Sequence, residues 1–183
     1  MSTYEAFDRD AEVNGRTVVT IVEEAMGRFS AAYRERAVEA LAAEGITDPE
    51  PDEWYPQQAW LNAFETIADD LQPHVLDRLG EQIPDVADWP DGFEGVEGGL
   101  RSIDEAYRRN HRGGEIGRYA FERTGDQAGE VTCQTPYPCP FDRGLVRGVA
   151  REYAPVDAFV FLEETGDACR REGDDACTYT VYW

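Results

Sequence analysis

Four cysteines, Cys133, Cys139, Cys169 and Cys177, are the residues of this 183-residue chain whose types and placement point most directly to chemistry. All fall in the C-terminal third, spaced C-x5-C and C-x7-C, and each sits at a strand end or in an adjoining loop, where they can converge. Thiolates in a tight tetrahedral cluster suit zinc, which accepts sulfur ligands at about 2.3 Å. A site of three cysteines with Glu163 or Glu164 is a further arrangement. Buried free thiols, which pack as small hydrophobes, and one or two disulfides are the alternatives. The histidines, His74 and His111, are far apart and neither has an i+4 partner, so both read as ordinary surface or helix-end residues. No nucleophile elbow, P-loop or dinucleotide fingerprint is present. Gly113-Gly114 leads into a strand, so it is no phosphate cradle. Asp69-Asp70 and Asp174-Asp175 read as solvated surface. Trp60, Phe64, Tyr107, Tyr119 and Phe121 are candidates for lining an apolar pocket between sheet and helices, although each alone serves as core.

The elements that must position these residues follow from periodicity. Val18, Val22, Ala25, Phe29, Tyr33, Ala37 and Leu41 recur at helical spacing and predict one long helix over Arg16 to Ala43, with Asn14 or Thr17 at its start and Gly45 after its end. Residues 47–56 form a proline- and acid-rich connector. A second helix over Gln57 to Leu71 gathers Trp60, Phe64, Ile67 and Leu71. Pro73 opens a third, ending near Gln82, and residues 84–97 read as loop. Gly98 to Asn110 is helical, with Leu100, Ile103 and Tyr107 together. The period then changes to two over Glu115 to Arg123. GDQAG turns the chain and EVTCQ returns, forming a hairpin. The TPYPCP segment is rigid, because its prolines fix φ and lack a donor. A helix follows from Phe141 to Tyr153, with Asp142 in the first turn where the dipole favours an anion. Val156 to Leu162 and the terminal ACTYTVYW complete the pattern as strands. The fold expected is therefore α+β, with N-terminal helices packed on a C-terminal antiparallel sheet of ββαββ order. Residues 1–183 form one domain, 1–97 mainly helical and dimerising or packing, 98–183 carrying the ligand or metal site.

The charge sets the environment. Thirty-eight acidic residues against seventeen basic ones give a net charge of -21, and every basic residue is arginine. The acids are spread along the whole chain, so such a surface repels itself in dilute buffer and is screened by salt. The pattern resembles proteins of salt-accumulating haloarchaea. No basic patch exists to neutralise phosphates, which argues against nucleic acid. MSTYEAFDRDAEVNGR has no apolar core of a signal peptide, and no segment approaches about 18 uninterrupted apolar residues, so a cytoplasmic protein without a membrane span is expected.

From about Leu100 to Trp183 the chain resembles the 4-vinyl reductase domain family, with relatives in the sensor domain of phenol-responsive regulators and, more distantly, subunits of the TRAPP trafficking particle. The likeness rests on the helix-hairpin-helix-strand-strand order, on CPFDRGLVRGVARE after a strand, and on the ending EETGDACRREGDDACTYTVYW. It implies a small-molecule-binding or sensory domain, a homodimer through the N-terminal helices, and a structural zinc. Cys133, Cys169 and Cys177 match the three cysteine ligands of such a site. The family's glutamate falls on Gly166 here, so Cys139 takes its place and the zinc set becomes Cys133, Cys139, Cys169 and Cys177. The expected function is binding of a small hydrophobic or aromatic ligand, with the signal passed to a separate effector protein. The alternatives are a metal- or thiol-dependent enzyme or accessory subunit acting on a hydrophobic or tetrapyrrole-like substrate, and a protein-assembly subunit.

Overall fold

A computed structural model describes residues 3–27, 30–69, 71–166 and 168–183, with the side chains of Glu24 and Ala25 left aside. Near the N-terminus a short strand β1 (Glu12–Asn14) runs antiparallel between β2 (Trp54–Pro56) and β3 (His111–Arg112). Strands of two and three residues leave no alternation to read, so nothing in the residue pattern signals this sheet. It matters because β1 pairs Val13 with both Tyr55 and His111, tying the first helices to the end of a helix a hundred residues later.

Helix α1 (Gly15–Thr20) starts where the Asn14 side chain accepts the Arg16 N–H at 2.8 Å. It runs into a π-helical turn, Ile21–Met26, and α2 (Ala31–Ala43) begins anew at Ser30, whose hydroxyl caps the Ala32 N–H at 3.2 Å. The single helix expected over Arg16 to Ala43 is therefore interrupted. The extended backbone of Ser30 breaks the ladder in favour of a second N-cap. Val18, Val22, Ala37 and Leu41 are buried and Tyr33 half-buried, whereas Phe29 and the Ala25 side chain lie outside the described residues. Gly45, at φ +82°, lets the chain turn so that the Ile46 N–H reaches the Leu41 carbonyl at 2.9 Å.

Helix α3 (Gln57–Asp69) buries Trp60, Leu61, Phe64 and Ile67; Asp70 of the acidic pair lies outside the described residues. Helices α4 (Pro73–Glu81) and the short α5 (Ile83–Val86) follow, the latter in a stretch expected to be loop. Helix α6 (Gly95–Asn110) presents Leu100, Ile103 and Tyr107 inward as expected. Helix α7 (Cys139–Glu152) packs against α4 at backbone distance. A Cβ on Gly144 would lie 1.9 Å from the Asp77 carbonyl oxygen, and one on Gly80 would lie 2.0 Å from that of Phe141. Around this glycine seam Asp77 pairs with Arg143 and Arg147, and Glu81 with Arg147 and Arg151.

The C-terminal sheet has strands β4 (Arg118–Gly125), β5 (Ala128–Gln134), β6 (Phe161–Glu164) and β7 (Cys177–Tyr182), antiparallel in the order β4-β5-β7-β6. With α7 between the two hairpin halves, this is the α+β, ββαββ arrangement expected. One strand is displaced: β6 begins at Phe161 instead of Val156, and Val156 and Phe159 are exposed at 101% and 81%. A run that is apolar except for Asp157 reads as a buried strand, but this one lies beside the open edge of the sheet. One hydrophobic cluster runs from Ala11 to Val181 through both sheets and the helices between them.

Candidate functional site

Two clusters of chemically competent side chains meet at the TPYPCP segment, and a buried ion pair holds that segment in place. Asp142, in the first turn of α7, is fully buried, as is Arg170 from the 3-10 turn Arg170–Glu172, and the two pair directly. Asp142 Oδ1 accepts from the Tyr119 hydroxyl at 2.6 Å and Oδ2 from the Thr135 hydroxyl at 2.7 Å. Arg170 Nη1 donates to Thr135 Oγ1 at 2.9 Å, to the Tyr137 carbonyl at 2.8 Å and to the Thr135 carbonyl. A carboxylate and a guanidinium so deep in the core persist because their hydrogen-bonding capacity is nearly filled. They fix the loop from Thr135 to Cys139, and so place Tyr137 on one side and Cys139 on the other.

Tyr137 faces an interior group of aromatic and imidazole rings. Its hydroxyl lies 2.7 Å from His111 Nε2 and accepts the indole N–H of Trp60 at 3.2 Å. His111 Nδ1 lies 3.0 Å from the Tyr107 carbonyl. A carbonyl can only accept, so Nδ1 carries the proton, and Nε2 of the neutral ring accepts from Tyr137. Burial pulls the His111 pKa down to about 4, the Tyr107 carbonyl opposing only in part, so the ring stays neutral. The Tyr107 hydroxyl donates to the Ile116 carbonyl and takes a hydrogen bond from Gln57 Nε2 at 3.4 Å. Beside this relay lies a cavity of about 50 Å³, lined mainly by apolar groups including Ile103, Trp89, Phe141 and Leu145 and edged by His111 and Tyr137. Of the pocket aromatics expected from sequence, Tyr107 and Tyr119 line this cavity; Trp60 and Phe64 stack at 5.4 Å behind it, and Phe121 is half-buried on the sheet beneath Arg101. His111 itself, read as a surface or helix-end residue, does end α6, but it is buried. His74 is exposed on α4.

On the far side of the loop stand the thiols. Cys139 opens α7, Cys177 opens β7 and Cys169 precedes the Arg170–Glu172 turn. Cys139 and Cys177 sulfurs are 3.2 Å apart, Cys177 and Cys169 sulfurs 3.9 Å, and all three lie within 4.8 Å of one another. The Arg170 backbone N–H donates to Cys177 Sγ at 3.4 Å, and Arg171 Nε to Cys169 Sγ at 3.5 Å. A hydrogen bond from Cys139, against the cost of burial, pulls the Cys177 pKa down, while that same bond and burial push Cys139 up. Cys133 sits opposite Cys177 in the β5–β7 register, yet falls outside the three-sulfur group, and burial raises its pKa. Glu163 and Glu164 are turned to Tyr182 and Arg171. Of the four expected ligands the fold thus gathers three. The Arg170–Asp142 pair escaped sequence reading because RREGDD has the look of a solvated turn.

The helical N-terminal part, the small three-stranded sheet and the four-stranded sheet backed by α6 and α7 define an H-NOX-type fold. H-NOX from T. tengcongensis, solved as a single-substitution mutant, matches with a TM-score of 0.65 at 14% identity, over 92% of this chain and 96% of that one. An H-NOX protein from S. oneidensis in the Fe(II) ligation state matches with a TM-score of 0.65 at 15% identity, over 92% and 95%. A structure from work on heme distortion in the H-NOX family matches at 0.64 and 13%, over 92% and 94%. No model of a known protein family and no curated protein matches. The likeness to the 4-vinyl reductase family is thereby overturned. Its carrying features were a local order of elements and a cysteine-bearing turn, which this other chain path also accommodates. The zinc that kinship implied falls with it, since the structures sharing the fold are described by heme and Fe(II). Among the described residues no helix is long and apolar enough to cross a membrane.

Proposed function

We propose that this chain is a sensory domain that binds a small molecule in the interior between α6, β4 and the Tyr137 loop. The observation carrying this reading is the closed relay Trp60–Tyr137–His111–Tyr107 at the edge of an apolar cavity. Buried polar groups beside an apolar space offer orientation and specificity to a ligand, at a cost in stability that a purely structural core avoids. The H-NOX fold, some of whose solved structures are described by their heme, supports a binding role for the interior of this chain.

The residues present do not fit a heme. Small-molecule pockets run to about 300–1,000 Å³, and this cavity holds about 50 Å³. His111 has both ring nitrogens engaged, and His74 points outward from α4. A cavity of about 150 Å³ accommodates benzene, so the ligand here is a neutral, largely apolar molecule of a few heavy atoms, with one group able to hydrogen-bond Tyr137 or His111. The experiment is thermal unfolding in molar KCl against a panel of such molecules, with hemin as a separate arm. Ligand at a hundredfold its Kd contributes about 2.7 kcal/mol by mass action, and Tyr137→Phe, which removes the hydroxyl, lowers affinity about tenfold. An unshifted melting temperature across the panel overturns the sensory site; a one-to-one hemin complex overturns the heme-free reading.

The rest of the reading concerns setting and output. The absence of lysine and the net charge of -21 support a cytoplasm rich in salt. A homodimer and a separate effector protein would carry the signal onward. Sedimentation in molar KCl, with and without ligand, reports the oligomer.

A further inference from the structure

The side chains lining the cavity beside Tyr137 already commit their polar hydrogens to one another and to the backbone. Resting on the sensory reading above, we infer that this cavity selects a small aliphatic alcohol, which brings its own hydrogen-bond donor on an apolar body, over acceptor-only molecules of the same size.

Each polar side chain on the cavity wall gives its hydrogens to a group that can only accept, or to one whose own hydrogen is fixed. Asn110 gives its amide hydrogens to two carbonyls, that of Asp88 at 3.0 Å and that of Ala106 at 2.7 Å. Its amide orientation is thereby settled, so Oδ1 accepts, and it takes the Thr17 hydroxyl hydrogen at 2.7 Å. The Tyr107 hydroxyl donates to the Ile116 carbonyl, and that of Tyr119 to the Asp142 carboxylate paired with Arg170. Trp89 donates to the Ser102 hydroxyl at 2.9 Å, which in turn donates to the Gly99 carbonyl at 2.7 Å. His111 keeps its proton on the Tyr107 carbonyl and accepts that of Tyr137.

What the wall retains is acceptor capacity. The oxygens of Thr17, Tyr119 and Tyr137 keep lone pairs after giving up their single hydrogens. Gln57 Oε1, on the residue whose Nε2 bonds the Tyr107 hydroxyl, is a further buried acceptor with no partner among the described residues.

Space sets the size of the ligand. A water-sized group needs about 10–15 Å³, so a cavity of about 50 Å³ takes about three to five heavy atoms, too few for an aromatic ring. Acceptor chemistry then sets its class. The oxygen of a ketone or ether would meet lone pairs and be buried unpaired. An ammonium brings donors together with a charge whose desolvation costs more still. A primary amide pairs its N–H groups but strands its carbonyl. An alcohol gives its one hydrogen to a wall oxygen, and its short chain packs against Ile103, Phe141 and Leu145.

The test titrates the wild-type chain in molar KCl with isopropanol, acetone and ethyl methyl ether, three molecules of equal heavy-atom count. Saturable shifts of the Trp60 and Trp89 indole N–H resonances report binding. Isopropanol binds about tenfold more tightly than either of the others, the ratio expected for one net hydrogen bond. Nitrogen NMR of His111 reports a protonated Nδ1 and a bare Nε2. Acetone or the ether binding as tightly as the alcohol overturns the donor rule and leaves the sensory site standing. A proton found on Nε2 overturns it as well, since Tyr137 would then hold a hydrogen free for the ligand. If none of the three binds, the alcohol assignment falls, and the melting-temperature panel decides the sensory site separately.

Discussion

At the scale of single residues, what decides behaviour is burial of groups that prefer water. His111 shows this most clearly. Its folded-state pKa of about 4 lies below the unfolded value of about 6.5. Between those two values the unfolded chain binds a proton that the native chain refuses, so stability falls as pH drops through this window, by about 1.4 kcal/mol per pH unit at most. Above pH 6.5 the contribution is constant. Denaturant unfolding of the wild type and of His111→Gln, compared from pH 8 to 4 at fixed high KCl, checks this: the difference between the two slopes is confined to pH 6.5–4, and parallel curves there refute a buried neutral imidazole. Little of this was legible in the sequence. HRGG following a charged helix end looks solvated, and only the β1–β3 pairing, made by strands too short to show a period, draws His111 inside. The cysteines were the opposite case. Their residue type announced chemistry, and three converge, but the β5–β7 register that would place Cys133 beside Cys177 does not bring its sulfur into the group.

At the scale of elements, periodicity located α3, α4, α6, α7, the β4–β5 hairpin and β7 to within a few residues, because each has one buried face and the spacing of apolar residues records it. It failed where packing is not recorded in apolar spacing. The break between α1 and α2 comes from the capping chemistry of one serine, and β6 starts late because an edge strand tolerates exposed apolar residues. The α4–α7 seam was equally hidden. DRGLVRGVARE reads as a modest amphipathic helix, yet its glycines are what allow α7 to approach α4 until backbone touches backbone. Gly144 is helical and needs no special φ, so its requirement is space alone. Gly144→Ala places a methyl group 1.9 Å from the Asp77 carbonyl oxygen and forces the helices apart, costing about 1–3 kcal/mol or somewhat more. The same shift loosens the Asp77 and Glu81 ion pairs, so urea unfolding shows a lower midpoint with an unchanged slope. A Gly144→Ala protein as stable as wild type would mean that this contact is not close.

At the scale of the whole molecule, the α+β class was legible and the particular fold was not, because class depends on which elements occur and fold depends on how they connect in space. The surface charge belongs to this scale too, since no single pair carries it. Most of the arginines are spent in local pairs such as Arg101–Glu97, Arg108–Asp104 and Arg109–Glu105 along α6, each worth a few tenths of a kcal/mol. The remaining acids repel one another over distances set by the Debye length, about 10 Å at 0.1 M salt and about 3 Å at 1 M. The folded state concentrates that charge and the unfolded chain disperses it, so salt stabilises the folded state. Melting temperature should therefore climb steeply as KCl rises from 0.05 M toward 1 M, then more slowly as screening saturates and the ordinary salting-out effect on apolar surface takes over. Replacing the exposed acids Glu35, Glu39 and Asp157 by amides keeps their size and removes three charges. That variant should melt higher than wild type at low salt and converge with it near 1 M KCl. If the two melting curves stay equally far apart at every salt concentration, the acidic surface is not what couples this fold to salt.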